Sequence, residues 1–470
     1  MEQQTLKEPQ VRLWPLLLEA VRGSHRDFTE GSISRAVILL ATPMVLEMLM
    51  ESLFAVVDVF WVTRLGSDAV ATVGLTESML TLVFSVGIGI SLSTTAMVAR
   101  RIGEKDPQGA AIAAVQAIIL GILLAVAMGV PGMWFSTKLL ELMGGSPGLV
   151  ATGHHYTAVA FGGSISLVLL FLNNAIFRGA GDAAIAMRIL WISNLINLIL
   201  DPILIFGLGP VPALGVTGAA VSTLIGRSCG VAYQFWILTH PGARILIRRA
   251  DLRVVPRVIT SLARVSATGV LQFAVAHTSW ILLVRIIASF GSVAIAGYTI
   301  GIRIFIFVIL PSWGLSGAAA TMVGQNLGAK KPERAERAVW LTGGYNLVFL
   351  GTVAGIFIAM PGAIVALFTS DPAVVTYAVS CLRIIAFGNV VYAIGMVIVQ
   401  AFNGAGDTIT PTIINVIGFW LCEIPLAWVL AFPGHMGVRG VFTAIPISEL
   451  LITSMGLFMF LRGTWKKRMI

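Results

Sequence analysis

The chain contains RGAGD at residues 178–182 and nearly the same phrase, NGAGD, at residues 403–407, 225 positions later. The same offset aligns VARRIGEKDPQGA at residues 98–110 with VGQNLGAKKPERA at residues 323–335. Glycine permits the tight turn that each short phrase predicts, and we expect its final Asp to cap the following helix. A fixed internal period indicates two copies of one structural unit.

Two further pairs of phrases extend the repeat. GSDAVATVGL from Gly66 aligns with GSVAIAGYTI from Gly291 at the same offset of 225. GVTGAAVSTLI from Gly215 aligns with GVRGVFTAIPI from Gly437 at an offset of 222, which implies a three-residue deletion in a loop. The whole chain is therefore interpreted as a duplicated unit.

The composition is that of a membrane protein. Of the 470 residues, 57% are hydrophobic and only 11% are charged, whereas soluble domains carry about 25% charged residues. The mean hydropathy is +0.92, and the apolar stretches are too long and continuous for the alternating strands of a membrane barrel. The three scattered cysteines suggest neither a disulfide framework nor a zinc site.

Apolar runs separated by polar residues, Gly or Pro predict twelve membrane-spanning helices. They lie near residues 35–62, 73–98, 111–134, 155–177, 189–208, 215–239, 261–288, 294–322, 336–359, 374–400, 412–432 and 439–461. Because six is even, both copies have the same orientation in the membrane. The fold class is therefore an all-α membrane protein with two six-helix lobes, related by a pseudo-two-fold axis along the membrane normal.

The same pattern predicts the domain organisation. The expected units are an N-terminal segment with an interfacial helix (1–30), an N-lobe (31–240), a basic inter-lobe linker (241–260), a C-lobe (261–462) and a basic tail (463–470).

Lysine and arginine are distributed unevenly across these spans. Of 31 such residues, 24 fall on the side that holds both termini, three fall on the other side and four lie within spans. This bias predicts a multi-pass protein of the plasma (inner) membrane with both termini in the cytoplasm. The net charge of +9 is then a feature of topology, and no nucleic-acid-binding motif accompanies it.

Three acids lie in the first span. Glu47, Glu51 and Asp58 are spaced so that they share one helix face. Ionisable residues at membrane depth are costly, so each is a candidate functional residue. Pro43, just upstream, removes a backbone hydrogen bond and offers a bend in this helix. Glu47 could also be a solvated charge near the interface.

The fifth span carries a second polar face. Asn194, Asn197 and Asp201 recur at i, i+3 and i+7, and Pro202 follows directly. Carboxyl groups with neighbouring amides can form a proton relay, and they can also bind a hard cation such as Na⁺ through oxygen atoms. The alternative is that Asp58 and Asp201 are structural caps of helix ends.

In their order and spacing, the longer phrases resemble the multidrug and toxic compound extrusion (MATE) family, and the DinF-like and archaeal branches more than the NorM branch. The phrases are ATPMVLEMLMESLFAVVDVFWVTRLGSDAVATVGL, VARRIGEKDP, RGAGDA, NLILDPILIFGLGPVPALGVTGAAVSTLI, VGQNLGAKKPERA and NGAGDTITP. The resemblance covers residues 32–463. It implies secondary active efflux of bulky, often cationic amphiphiles in exchange for H⁺ or Na⁺.

The resemblance also implies roles for particular residues. Asp58, Asn197 and Asp201 match the residues that couple transport to the cation, and they would hold Na⁺ if sodium is the ion. No other metal and no cofactor is expected. The residues expected to line the substrate cavity are Tyr156, Asn174, Asn194 and Glu51, although the family more often has Gln near the last position.

The C-lobe departs from the NorM branch, which has acids in spans 7 and 10. Here Gln272 lies near the expected Glu, and span 10 has no acid, which favours coupling in the N-lobe. His277 is interpreted as a packing residue rather than a proton carrier. Glu423 and Glu449 are additional buried acids.

The repeat itself singles out the N-lobe acids. At the offset of 225, Leu283 stands opposite Asp58 and Leu426 stands opposite Asp201. We therefore expect the copied residues to build the architecture and the positions that differ to carry the coupling.

The expected partners are amphiphilic or cationic small molecules and membrane lipid, and we expect the protein to act as a monomer. The principal alternative is a flippase for lipids or lipid-linked precursors, which favours a strongly cationic cavity. An intramembrane enzyme would need a nucleophile and a base in contact, and a passive channel would not need duplicated acid-bearing lobes. No GxxxxGK[ST] phrase for ATP-driven transport occurs in the sequence.

Overall fold

A computed structural model describes residues 13–24 and 26–468. Within those ranges the regular structure is helical, apart from one isolated β-bridge between Leu208 and Val211.

The N-lobe contains α1 (Leu13–Arg22), α2 (Ile33–Thr63), α3 (Ser67–Gly103), α4 (Pro107–Trp134), α5 (Ser136–Leu142), α6 (Pro147–Gly162), α7 (Ser164–Ala180), α8 (Ala183–Phe206) and α9 (Val216–Thr239). The C-lobe contains α10 (Pro256–Ala288), α11 (Ser292–Gly328), α12 (Pro332–Ala359), α13 (Pro361–Val365), α14 (Pro372–Gly404), α15 (Ile409–Asn415), α16 (Ile424–Ala431) and α17 (Val438–Leu461). A π-helical segment, Val416–Glu423, joins α15 to α16. Short 3₁₀ turns lie at Arg249–Asp251 and Thr464–Lys467.

Eleven helical stretches in the described part of the chain are long and apolar enough to cross a membrane. One combines α6 with α7, and another runs from α15 through the π-helical segment to α16. The twelfth expected span is α9, which has 24 residues but includes Arg227 and Gln234. The expected all-α fold of twelve helices in two lobes is confirmed.

The helices are longer than the apolar runs that predicted them. The span expected at 73–98 is Ser67–Gly103, and the C-lobe expected from residue 261 begins with a helix at Pro256. An apolar run marks only the part of a helix that lies in the hydrocarbon core of the membrane. The backbone hydrogen bonds of the helix continue into the polar residues at its two ends. The tail expected to be simply basic also contains Trp465, which is fully buried.

Helix α1 occupies the region where an interfacial helix was expected. Leu16 and Ala20 are buried, whereas Leu13 and Trp14 are exposed, so the helix is amphipathic. The part of that segment before residue 13 lies outside the described residues.

The repeat is visible in the backbone. Gly66 and Gly291, which precede the two 37-residue helices α3 and α11, have φ of +100° and +99°. Lys105 and Lys330, which follow those helices, have φ of +59° and +58°, an uncommon conformation for a residue with a side chain. The two copies therefore share even their strained turns.

The closing Asp residues of the repeated phrases behave differently. Asp407 accepts hydrogen bonds from the Thr410 backbone (3.3 Å) and hydroxyl (2.7 Å), so the expected cap is present. Asp182 occupies the N-cap position of α8 without a side-chain cap bond, and its carboxylate lies 3.9 Å from Arg244. The side-chain cap expected at Asp182 is therefore not formed, and this carboxylate lies near a basic residue of the linker instead.

The two lobes are joined on the side of the molecule that holds residues 13 and 468, here called the terminal side. Among the described residues, the hydrogen bonds between helices of the two lobes lie in this half: Ser34–Tyr345 (2.7 Å), Ser93–Ser266 (2.7 Å), Thr321 to the Arg178 carbonyl (3.1 Å) and Gln325 to the Gly179 carbonyl (2.9 Å). Gly103 of α3 allows the two lobes to come close here. A Cβ at this position would lie 1.9 Å from the carbonyl oxygen of Gln325 in α11 and would clash with it.

Residues 26–31, here called the N-terminal strap, cross the terminal side. Arg334 of α12 donates to the carbonyls of Phe28, Glu30 and Gly31 at 3.3, 2.8 and 2.8 Å. Asp27 of the strap pairs with Lys105, which follows α3. The strap therefore contacts both lobes.

Candidate functional site

Helix α2 carries the acids that the sequence singled out, and each meets different partners along the helix. Pro43 lies inside the continuous helix, four residues before Glu47. Because Pro43 has no backbone N–H, the helix lacks one hydrogen bond at this level. A bend there during transport stays a prediction.

Glu47 is almost completely buried and forms an ion pair. Its Oε1 accepts hydrogen bonds from Arg178 (3.0 Å) and Asn174 (3.1 Å), whereas its Oε2 has no hydrogen-bond partner. Gln234 of α9 donates to Asn174 at 2.8 Å and so orients the amide. Glu47 is thus a paired, buried group, not a solvated charge at the interface. The sequence interpretation did not foresee Arg178, which belongs to the repeated phrase RGAGD.

Glu51 lies one turn further along α2. It interacts electrostatically with Arg227 of α9, and Asn194 of α8 lies beside it. The Asn194 amide nitrogen is buried without a hydrogen-bond partner. The polar residues predicted on α2 and α8 therefore meet, with a basic residue from α9 between them.

Asp58 and Asp201 lie in one electrostatic cluster. Asp58 interacts with Asp201, Glu77 and Arg227. Both aspartates lie within helices, in α2 and α8, and neither is at a helix N-terminus. Neither aspartate therefore caps its own helix.

Asp201 is fully buried and incompletely hydrogen-bonded. Its Oδ1 accepts hydrogen bonds from Ser222 and from Asn197, the latter at 3.4 Å. The Asn197 amide also lies 2.9 Å from the Thr223 hydroxyl. Asp201 Oδ2 and Asn197 Oδ1 are buried oxygens without hydrogen-bond partners. Buried acceptors are normally satisfied, so these two oxygens are free to bind a hard cation together, and the Asp201 carboxylate can alternatively take up a proton.

Two residues of this cluster were missed from the sequence as site residues. Glu77 lies in α3 and interacts electrostatically with Arg227 and with Arg303 of the C-lobe. Glu77 carries the same signal as the other acids, an ionisable side chain inside an apolar span. Arg227 was recognised as a charge within a span, but its neighbours depend on how α9 packs.

A cavity of ≈ 290 Å³ lies between the lobes. Its N-lobe wall includes Glu47, Glu51, Asn174 and Arg178, and residues of α11 and α14 form the opposite wall. Apolar and aromatic side chains dominate the rest of the lining: Met44, Met48, Phe84, Phe171, Leu310 and Trp313. The cavity is therefore largely apolar with a small set of charges.

Two of the residues expected to line the cavity, Tyr156 and Asn194, are not among its lining residues. Tyr156 packs against Val62, Val73 and Ile205 and interacts electrostatically with Asp58. Asn194 contacts Glu51 rather than belonging to the lining residues of the cavity. Glu51 and Asn174 do line it.

The C-lobe residues named from the sequence have different environments. Gln272 is buried, with a side-chain oxygen that has no hydrogen-bond partner. His277 is exposed and its Nδ1 lies 2.9 Å from the Phe273 carbonyl, one turn earlier. Across residues 13–24 and 26–468, no group of three or more His, Cys, Asp or Glu side chains is arranged to hold a metal ion.

Comparison with known proteins gives one consistent set of matches. The family profile described as MatE matches residues 43–203 and 270–429, one segment in each lobe. The chain is 27% identical to the probable multidrug resistance protein NorM of Thermotoga maritima, covering 93% of this chain and 94% of that protein. It is also 27% identical to the FAD transporter of Shewanella oneidensis, covering 89% and 92%.

Solved structures match over the same length. A crystal structure of MATE in complex with MaL6 is 25% identical to this chain, with a TM-score of 0.87, and the match covers 96% of this chain and 99% of that one.

Proposed function

Because this chain belongs to the MatE family of transporters, we propose that it is a secondary active antiporter that exports amphiphilic, often cationic compounds in exchange for H⁺ or Na⁺. Relatives named as multidrug resistance proteins support multidrug efflux as the general activity. The finer proposal is that the coupling ion binds in the N-lobe, as in the DinF-like and archaeal branches.

The observation that carries the proposal is the cluster around Asp58 and Asp201. It contains two buried oxygen atoms without hydrogen-bond partners. The free acceptors are Asp201 Oδ2 and Asn197 Oδ1, and the nearby Arg227 offsets only part of the acidic charge. A proton or a sodium ion would add the missing positive charge. No cofactor is part of the proposal.

The cavity supports an amphiphilic substrate. Methionine side chains adapt to ligands of varied shape, and aromatic faces attract organic cations. Glu47 and Glu51 give the lining an acidic side, with Arg178 as its basic residue. When H⁺ or Na⁺ neutralises these acids, a cationic substrate would lose its attraction to the cavity and leave. The substrate would thereby be exchanged for the coupling ion.

The closed terminal side supports an outward-open state. We propose that the terminal side faces the cytoplasm and that the protein is a monomer in the inner membrane. Binding of the ion must favour one conformation over the other, since only differential binding shifts a conformational equilibrium. A bend at Pro43 would let α2 repack and release the substrate.

The test uses the Asp58→Asn variant, which keeps the size of the side chain and removes its charge. We expect loss of dye efflux in everted vesicles under an imposed proton gradient or an imposed sodium gradient. The matched control is Asp371→Asn, an exposed N-cap where Asn also caps. Efflux that survives in Asp58→Asn would overturn coupling through the N-lobe.

The second candidate is transport of an anionic amphiphile. The similarity to a protein named FAD transporter favours it, and lipid or lipid-linked precursor flipping belongs to the same chemical class. Arg178 is the basic residue of the cavity lining, beside two acids, which disfavours a phosphate headgroup. Proteoliposomes given a cationic dye, FAD and a labelled anionic lipid in parallel would distinguish the three substrates.

A further inference from the structure

A second pair of acids lies in the C-lobe, outside the coupling cluster described above: Glu423 is buried and Glu449 is partly buried. Glu423 is 2% exposed and accepts a 2.8 Å hydrogen bond from Ser279 of α10. Glu449 of α17 interacts electrostatically with Glu423. Glu423 also ends the eight-residue π-helical segment, and π-helical turns occur frequently at functional sites.

The helices around this pair bring further polar groups to the same depth. Helices α14 and α17 pack closely side by side at two glycines of α14. A Cβ added to Gly388 would lie 3.0 Å from Pro446, and a Cβ added to Gly395 would lie 2.3 Å from Thr453. The constant spacing places Glu449 level with the turn of α14 between residues 389 and 392.

That turn carries Asn389 and Tyr392, which share a helix face at i and i+3. Tyr392 interacts electrostatically with both Glu423 and Glu449. Asn389 is 1% exposed, and neither its amide oxygen nor its amide nitrogen has a hydrogen-bond partner. A fully buried amide with no partner is rare, and this one lies one helical turn from Tyr392, which interacts with both acids.

Among residues 13–24 and 26–468, no basic side chain is found among the groups that interact with Glu423 or Glu449. The groups that interact with Glu423 are Ser279, Ser448, Glu449, Tyr298, Tyr392 and Cys422. The basic residues within the C-lobe spans, Arg285, Arg303 and Arg383, are all exposed. Two interacting carboxylates without a cation repel each other, and the burial of Glu423 strengthens that repulsion, which favours a proton on one of them.

The repeat shows how this cluster arose from the common unit. At the offset of 222, Ser448 corresponds to Gly226 and Glu449 to Arg227. A Cβ on Gly226 would lie 3.3 Å from Asn197, and Ser448 interacts with Glu423. Arg227 of the N-lobe thus corresponds to Glu449 of the C-lobe, and Asn197 and Glu423 contact matching positions on α9 and α17.

We propose that Glu423 and Glu449 form a second proton-binding site, in the C-lobe, in which the two carboxyl groups share one proton. The Ser279 hydroxyl stabilises the Glu423 carboxylate by donating a hydrogen bond, and Tyr392 lies close enough to both acids to interact with them electrostatically. The proposal goes beyond N-lobe coupling, and it does not depend on what the protein exports.

Infrared difference spectroscopy tests it on the purified full-length protein. We expect a protonated-carboxyl C=O band that is lost in Glu423→Gln and in Glu449→Gln and that persists in Asp58→Asn. The matched surface control is Glu141→Gln, an exposed acid. Spectra of both Gln variants that superimpose on the wild type from about pH 5 to about pH 9 would overturn the proposal.

Two further measurements keep the test decisive. Ser279→Ala removes a hydrogen bond to Glu423, so the band should shift to higher frequency without being lost, even if a Gln variant folds poorly. Loss of the band on adding sodium chloride, but not choline chloride, at constant pH would show that Na⁺ displaces the proton and would overturn a site that binds protons alone. Because no transport is measured, failure here is distinct from failure of the efflux proposal.

Discussion

Arg178, in the repeated phrase of the N-lobe, forms a 3.0 Å ion pair with Glu47 on the wall of the cavity between the lobes. The side chains are 19% and 2% exposed. The same Arg178 accepts a hydrogen bond from Thr321 of the C-lobe at its backbone carbonyl. The phrase that looked like a simple turn thus positions a charge at the cavity and contacts the other lobe.

Breaking this pair on one side should be costly. Glu47→Gln and Arg178→Gln should each lower the free energy of unfolding by about 3–5 kcal/mol, because the remaining charge is buried without its partner. The double variant should recover part of that loss. Thermal unfolding of the purified wild type, the two single variants and the double variant in detergent measures these differences in stability.

The control for this pair is Glu19, 26% exposed, which pairs with Arg26 at 2.6 Å and with Arg35 at 2.7 Å; these arginine side chains are 48% and 40% exposed. Glu19→Gln should change the unfolding free energy by only about 0–1 kcal/mol. Equal effects of Glu19→Gln and Glu47→Gln would show that burial does not set the energy of these pairs.

Gly103 should be essential for closure of the terminal side. An added Cβ would lie 1.9 Å from the Gln325 carbonyl across the lobe interface, so Gly103→Ala should destabilise the closed arrangement by about 1–3 kcal/mol. The measurement places a reporter thiol, Ser266→Cys, in a protein without the three native cysteines. We expect this thiol to be labelled faster when Gly103→Ala is also present than when Gly103 is retained.

Gly74 provides the opposite control in the same helix. Nothing lies within 4 Å of a Cβ added there, so Gly74→Ala should raise the helix stability by about 0.5–1 kcal/mol. Slower or unchanged labelling in Gly103→Ala would contradict the close approach of the two lobes.

Arg334 should hold the N-terminal strap in place. Arg334→Ala removes its hydrogen bonds to three strap carbonyls, and we expect amide hydrogen exchange in residues 26–31 to rise roughly tenfold or more. Arg337→Ala, at an exposed position on the same helix, should leave that exchange unchanged. Equal exchange in both variants would mean that the strap is held by other contacts.

The strap should be insensitive to pH in the range where a coupling proton binds. Burial would raise the pKa of Asp27, but hydrogen bonds from Lys105 and Thr29 lower this pKa from 3.8 to about 2. Ionised Asp27 therefore stabilises the folded protein above about pH 4, and that stabilisation is lost as the pH falls towards about 2.

We expect the difference in melting temperature between the wild type and Asp27→Asn to stay constant from about pH 5 to about pH 9. A difference that changes within this range would show that Asp27 titrates there and would contradict the lowered pKa.

Much of the site was visible in the sequence because its residues are exceptions in apolar helices. Asp58, Glu51 and Asp201 stand out since a charged group in a span must have a reason. Their helix faces follow from periodicity, and the structure does bring α2 and α8 together. Glu77 had the same signal and was overlooked.

Their partners depend on packing that periodicity cannot supply. Arg227 and Ser222 lie on α9, and which side chains they meet depends on how α9 rotates against α8. The role of Arg178 was likewise invisible, because a turn-forming phrase says nothing about which helix its first residue will contact.

By itself, the sequence determined the class of the protein, its twelve helices and its two copied lobes. The length of the apolar runs and the repeat of phrases at a fixed spacing can be read along the chain. They do not depend on how the helices pack. Only the tertiary structure decided that Glu47 is paired with Arg178, that Asp201 and Asn197 keep oxygens without partners, and that Glu423 meets Ser279. Those relationships depend on distances between helices, and burial turns such distances into charge pairs or unsatisfied groups.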